Sequence, residues 1–211
     1  MMDGPRFSLG GDQHLTDLVE LPRLKSFSDG VFAIAATLLA FNVHLPATTD
    51  QSFSDLLAAI EPQIMAFLIS FVVAAVYWRN HNRLFLLLDR ADSRLNQINM
   101  ALLAAVCLMP FTTGLIAGVK LSPGAVILYA LSMALIGVLA AAQWAYVALH
   151  PALLASHVTQ REIWRWFSVA CVAPTIFLLS IAPANFSVEW AMRGWGVILV
   201  FLPLARRLTR R

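Results

Sequence analysis

The chain has 211 residues, 59% of them hydrophobic and only 13% charged, with a formal net charge of +3. Mean hydropathy is +0.72, whereas soluble domains average about 45–50% apolar residues, so a water-soluble globule of this length could not hide the excess. These values exclude a soluble domain, give no nucleic-acid signal, and indicate an all-α integral membrane protein.

In chain order, residues 1–22 are polar, acidic and Gly-containing, with no apolar stretch of the kind a cleaved signal peptide carries; they read as a cytoplasmic tail. A membrane-crossing helix needs about 20 largely apolar residues. Six segments qualify: Leu24–Leu45, Leu56–Trp78, Leu95–Gly118, Ala125–Leu149, Ile163–Ala182 and Ser187–Leu204. The breaks carry turn chemistry, at His44-Leu45-Pro46, Ser122-Pro123-Gly124, His150-Pro151 and Ala182-Pro183-Ala184-Asn185. Pro62, Pro110 and Pro174 fall inside or near spans, where neighbouring helices tolerate a kink. The spans make one membrane domain over residues 23–206, followed by a basic terminus at 207–211.

Lys and Arg set the orientation. Arg6, Arg23 and Lys25 precede span 1; Arg79, Arg83, Arg90 and Arg94 lie between spans 2 and 3; Arg161 and Arg165 lie between spans 4 and 5; Arg206, Arg207, Arg210 and Arg211 follow span 6. Only Lys120 and Arg193, of 15 basic residues, fall on the other side. Both termini are therefore expected in the cytoplasm and the cell membrane is the expected location. Trp144, Trp164, Trp166, Trp190 and Trp195 lie toward span ends and read as interfacial aromatics. Cys107 and Cys171 sit within apolar runs and imply no disulfide framework. No internal repeat is evident.

A helix advances about 100° per residue. With Ile34 at zero, Gly30, Thr37, Leu38, Phe41 and Leu45 share one mostly apolar face. Ala33, Ala36 and Ala40 form a small-residue stripe suited to close helix packing, and Phe32, Leu39 and Val43 form a third side. Periodicity alone is equally met by ordinary lipid-facing or core residues. Asp29 adds information, because a charge inside a transmembrane segment costs roughly 2.5–3.5 kcal/mol at the centre and less toward the ends. It needs partners: Ser28 is adjacent, Arg23 is near in sequence, and Trp78, Asn80, His81 and Asn82 lie at the same end of span 2. Such a group either locks helix ends together or relays protons and ions.

Arg23-Leu-Lys-Ser-Phe27-Ser28-Asp29 has the pattern R-x-x-x-F-S-D at the start of a first span, and it resembles the signature of the transmembrane protein 175 family of potassium channels. Gly30-Val-Phe-Ala-Ile34-Ala-Ala-Thr37-Leu38-Leu39 looks like its continuation. Trp78-Arg-Asn-His81-Asn-Arg83-Leu-Phe85 is similar to the family's segment after span 2. Asn99 and Met109-Pro110-Phe111-Thr112-Thr113 resemble its third span. These blocks cover residues 23–118; spans 4 to 6 match in number and hydrophobicity only.

The resemblance implies a homotetramer of six-span chains in a lipid bilayer, with four first spans around a central pore and potassium as the permeant ion. It implies a hydrophobic constriction at Ile34, further apolar rings at Leu38 and Phe41, and a hydroxyl ring at Thr37 that serves selectivity. Phe41 departs from the pattern in being bulkier than the expected aliphatic residue. Arg23, Phe27, Ser28, Asp29, Trp78, Asn80 and His81 would be the polar network bracing the pore helix. There is no T-V-G-Y-G loop for a carbonyl-type filter. Neither a cofactor nor a metal is expected, since His44, His150 and His157 have no ligand spacing. An enzyme is not expected either: Ser28 near His81 is the one candidate nucleophile–base pair, and nothing else supports it. The competing reading is a proton-coupled secondary transporter using Asp29 and His81, although the broken helices and repeats usual in that class are not evident.

Overall fold

The computed structural model describes residues 18–45, 52–118, 122–184, 186–187 and 195. Two-residue strands β1 (Leu18–Val19) and β2 (Ala91–Asp92) pair antiparallel, with Leu18 opposite Asp92. The rest of the described chain is mostly helical: α1 (Leu21–Ala40), α2 (Phe53–Phe85), α3 (Ser93–Gly118), α4 (Pro123–Leu149), a 3-10 turn (Pro151–Leu153), α5 (Gln160–Ala170), α6 (Val172–Leu179) and α7 (Ile181–Ala184). Among the described residues, four stretches are long and apolar enough to cross a membrane: Phe53–Phe85, Ser93–Gly118, Pro123–Leu149 and Gln160–Ala184. α1 has 20 residues but carries Arg23, Lys25 and Asp29 in its first half. The expected sixth span, Ser187–Leu204, lies almost wholly outside the described residues, as does the 207–211 terminus.

Local chemistry explains where the helices start. Ser52, Ser122 and Thr159 cap α2, α4 and α5, their hydroxyl oxygens accepting from Asp55 N, Ala125 N and Glu162 N at 3.3 Å each. Asp92 does the same for α3, accepting from Leu95 N at 2.8 Å, while Tyr146 donates to its other oxygen at 2.6 Å. α1 starts without a side-chain cap, with Pro22 in its first turn, where a missing N–H costs nothing.

Three boundaries differ from expectation. α1 ends at Ala40 rather than Leu45. Phe41, Asn42 and Val43 close tighter i→i−3 bonds, and the Asn42 amide donates to the Pro110 carbonyl at 2.8 Å, tying the chain to α3. α2 runs on past Trp78 to Phe85. Its 33 residues span about 50 Å against a hydrocarbon core of about 30 Å, so one end projects and displays Arg79, Asn80, Asn82 and Arg83. The fifth span is broken at Cys171 and Ser180. Pro174 and Pro183 cause this: neither can donate to the carbonyl four residues earlier, and each ring crowds it.

α3 and α4 pack most extensively, α1 lies against α2 and α3, and α5 and α6 cover the far side of α4. Where α4 meets α6, a Cβ on Gly137 would lie 2.7 Å from the Pro174 ring, so only glycine permits this approach. One core cluster fills the middle of the bundle around Phe32, Leu39, Tyr77, Met109, Tyr129 and Phe177. A second fills the Arg-rich end around Leu24, Leu84, Leu95, Trp144, Ile163 and Trp166. Trp144 and Trp166 are thus core residues, contrary to the expected interfacial role: Trp144 is fully buried and donates to Asn80 Oδ1 at 3.2 Å. Trp195 is buried as well, donating to Ser180 Oγ at 2.9 Å.

Candidate functional site: the exposed face of the first helix and its polar anchors

α1 has two faces of opposite character. Leu24, Ser28, Phe32, Ala35 and Leu39 are buried, at the three- and four-residue spacing of one helical face. On the other side Phe27, Ile34, Leu38 and Phe41 are exposed, by 56%, 63%, 44% and 69%. Gly30 and Thr37 share that exposed side. The face predicted from the 100° rotation is therefore the face the rest of the chain leaves uncovered. The Thr37 hydroxyl donates to the Ala33 carbonyl at 2.8 Å, which uses its hydrogen and leaves the oxygen lone pairs available on the open side. Phe41 caps the helix with αR backbone angles and an exposed ring. Of the small-residue stripe, Ala33 and Ala36 face a groove of about 450 Å³ between α1 and α2, together with Phe71 and Trp78.

The seven expected polar-network residues do not form one cluster. Asp29 accepts from Trp78 Nε1 at 2.8 Å, which joins α1 to α2. Ser28, one residue away, points 100° round the helix into a separate and fully buried network. Its hydroxyl donates to Leu24 O at 2.9 Å and accepts from Asn99 Nδ2 at 3.0 Å. That bond turns the Asn99 carbonyl oxygen toward His81, whose Nε2–H donates at 2.8 Å, and toward Gln143, which donates at 3.0 Å. α1, α2, α3 and α4 thus converge on Asn99. The His81 ring stacks on Phe85 at 4.3 Å and tilts against Phe32 at 5.6 Å, and its Nδ1 has no hydrogen-bond partner among the described residues. Asn80 belongs elsewhere, under Trp144. Arg23 pairs with Glu20 at 3.5 Å on the surface rather than with Asp29, and Phe27 is exposed.

Asn99 lies between Ser28 and His81, so those two do not form a nucleophile–base pair. Gln143 is missing from the sequence-derived network. The available signal was a lone amide inside the apolar run of α4, where an unpaired amide would be costly. A further buried chain, Thr113–Ser70–Tyr129 at 3.0 and 3.1 Å, joins α2, α3 and α4 nearer the bundle centre. Among the described residues no group of three or more His, Cys, Asp or Glu could hold a metal.

Comparison with known proteins bears on this geometry. A sequence profile for the endosomal/lysosomal potassium channel TMEM175 matches residues 23–110, which include the R-x-x-x-F-S-D heptad, the exposed face of α1, Trp78, His81 and Asn99. A potassium channel of Chamaesiphon minutus is 32% identical over 192 residues, covering 88% of this chain and 94% of that protein. The human endosomal/lysosomal proton channel TMEM175 is 25% identical over 89% of this chain, which spans 38% of the human protein. The crystal structure of a lysosomal potassium-selective channel TMEM175 homolog from Chamaesiphon minutus superposes with a TM-score of 0.75 at 28% identity, over 87% of this chain and 96% of that one. Identity at that level along nearly the whole of a relative, with the same helical fold, places this chain in the TMEM175 family.

Proposed function

We propose that this chain is the subunit of a potassium-selective cation channel of the cell membrane. It would assemble as a homotetramer of six-span subunits, with α1 lining a central pore and both termini in the cytoplasm. The observation that carries the reading is the exposed face of α1. A helix that buries Ser28, Phe32 and Leu39 against its own chain while presenting Ile34, Thr37, Leu38 and Phe41 outward has a surface for an axis shared with other copies. Supporting it, the Chamaesiphon minutus relative that matches 88% of the chain is a potassium channel, as are two relatives that match 46% and 43% of it.

The residues then have distinct tasks. Four Ile34 side chains converging on an axis exclude water when close and close the path by dewetting. Four Thr37 oxygens, their hydrogens held by Ala33, present dipoles to a cation that keeps part of its hydration shell. Leu38 and Phe41 continue the apolar wall outward, and the bulk of Phe41 narrows that half. Asp29–Trp78 and the Asn99 network fix the azimuth of α1 behind the pore.

The test is electrogenic flux from proteoliposomes under potassium or sodium gradients, wild type against Thr37→Ala. Potassium flux exceeding sodium flux, with that preference lost in the variant, is the expected result. Absence of electrogenic flux from folded, tetrameric protein would instead favour a proton-coupled carrier, in which the buried His81 with its unpaired Nδ1 would be the proton-carrying group.

A further inference from the structure

We infer that the cleft between the projecting end of α2 and helix α5 is a binding site for an anionic phospholipid. The cleft, of about 510 Å³, has two chemically different parts. Its polar part is made by Arg79, Asn80, Asn82 and Arg83, and its lining contains two arginines and no carboxylate. Its apolar part is made by aliphatic side chains of both helices, Val76 and Val169 among them. Arg79 is exposed and has no hydrogen-bond or ion-pair partner among the described residues. The Arg83 guanidinium carbon lies over the Trp166 ring, 3.7 Å from its centroid, and this contact bridges the two helices.

Position selects the ligand. Arg79 and Arg83 near the end of α2, Arg90 after it and Arg94 at the start of α3 gather at this end of the bundle, the level at which headgroups sit. Two guanidiniums match the bidentate geometry of a phosphodiester, the amides of Asn80 and Asn82 suit glycerol or headgroup hydroxyls, and the aliphatic wall suits the start of an acyl chain. Basic clefts between transmembrane helices hold anionic headgroups in this manner. A soluble phosphate would use the arginines and leave the apolar wall wet.

The test is native mass spectrometry of the full chain in detergent, titrated with phosphatidylglycerol or with phosphatidylcholine of the same acyl chains. Phosphatidylglycerol should be retained at least fivefold better per subunit. The preference should fall severalfold in Arg79→Gln and in Arg79→Gln/Arg83→Gln, and survive in Arg90→Gln, which removes equal charge outside the cleft. Arg79→Gln spares the Arg83–Trp166 contact, so it remains informative if the double variant does not fold. Equal retention of both lipids, an equal loss in Arg90→Gln, or displacement of the lipid by millimolar inorganic phosphate would overturn the assignment.

Discussion

Replacing Asn99 by leucine isolates the junction on which four helices meet. The change keeps the four-atom skeleton branched at Cγ and so opens no cavity. It removes one donor and one acceptor oxygen that together make three bonds, to Ser28, His81 and Gln143, all fully or almost fully buried. Side-chain hydrogen bonds between membrane helices average about 0.6 kcal/mol, so three give a floor of about 2 kcal/mol. Ser28 keeps its bond to Leu24 O, but His81 Nε2–H and the Gln143 amide lose their acceptor, and at about 1–3 kcal/mol for each buried group the expected loss is about 3 kcal/mol. The assay is reversible unfolding in mixed micelles on addition of SDS, read by tryptophan fluorescence. A cycle with Ser28→Ala should show a coupling of at least about 0.5 kcal/mol, because the two residues share a bond. Arg23→Ala, whose ion pair is 84% and 71% exposed, should leave the midpoint unchanged. A loss below about 1 kcal/mol for Asn99→Leu, or no coupling to Ser28, would refute the idea that this network fixes α1.

Gly137→Ala should destabilise by about 1–3 kcal/mol in the same assay, because the new Cβ meets the rigid Pro174 ring, which cannot swing aside. Trp78→Phe keeps an aromatic ring but removes the donor to the half-buried Asp29; it should cost about 1 kcal/mol, and adding Asp29→Asn should cost little more. Ile34→Asn should raise resting ion flux in proteoliposomes, since a polar ring stays hydrated where an isoleucine ring dewets; reduced flux with assembly intact would count against Ile34 as the constriction.

Much of this arrangement was legible from residues alone. The 100° rotation grouped Gly30, Ile34, Thr37, Leu38 and Phe41 on one side of α1 without saying what covers it; the chain leaves that side open and buries Leu24, Ser28, Phe32, Ala35 and Leu39 at three- and four-residue spacing. Asp29 was expected to need partners among Ser28, Arg23 and the end of the second span; in the fold Trp78 donates to it, and Arg23 and Ser28 turn elsewhere. What the sequence did not reveal depends on how helices are rotated against one another. Ser28 and Asp29 are neighbours in the chain yet serve different helices. Asn80 and His81 likewise diverge, one toward Trp144 and the other toward Asn99. Tryptophans near span ends suggest the interface, but Trp144 and Trp166 are drawn into the second core by the loop turn at Leu88 and Leu154 and by α5. The overrun of α2 was hidden because its last two turns are polar, which resembles a loop until Asn80 and His81 are seen to be held by other helices.

The two anchors on adjacent residues have a mechanical consequence. Hydrogen bonds to α2 from Asp29 and to α3 from Ser28 leave α1 about 100° apart in azimuth, so the charged end of the rod can neither spin nor slide without breaking one of them. Beyond them Gly30 touches no neighbouring element, as nothing lies within 4 Å of where its Cβ would be. The far end is pinned as well, by the Asn42 amide on the Pro110 carbonyl. Held at both ends, the rod cannot swing about Ser28 alone, and any change in its tilt must carry α2 and α3 with it or break one of the three bonds.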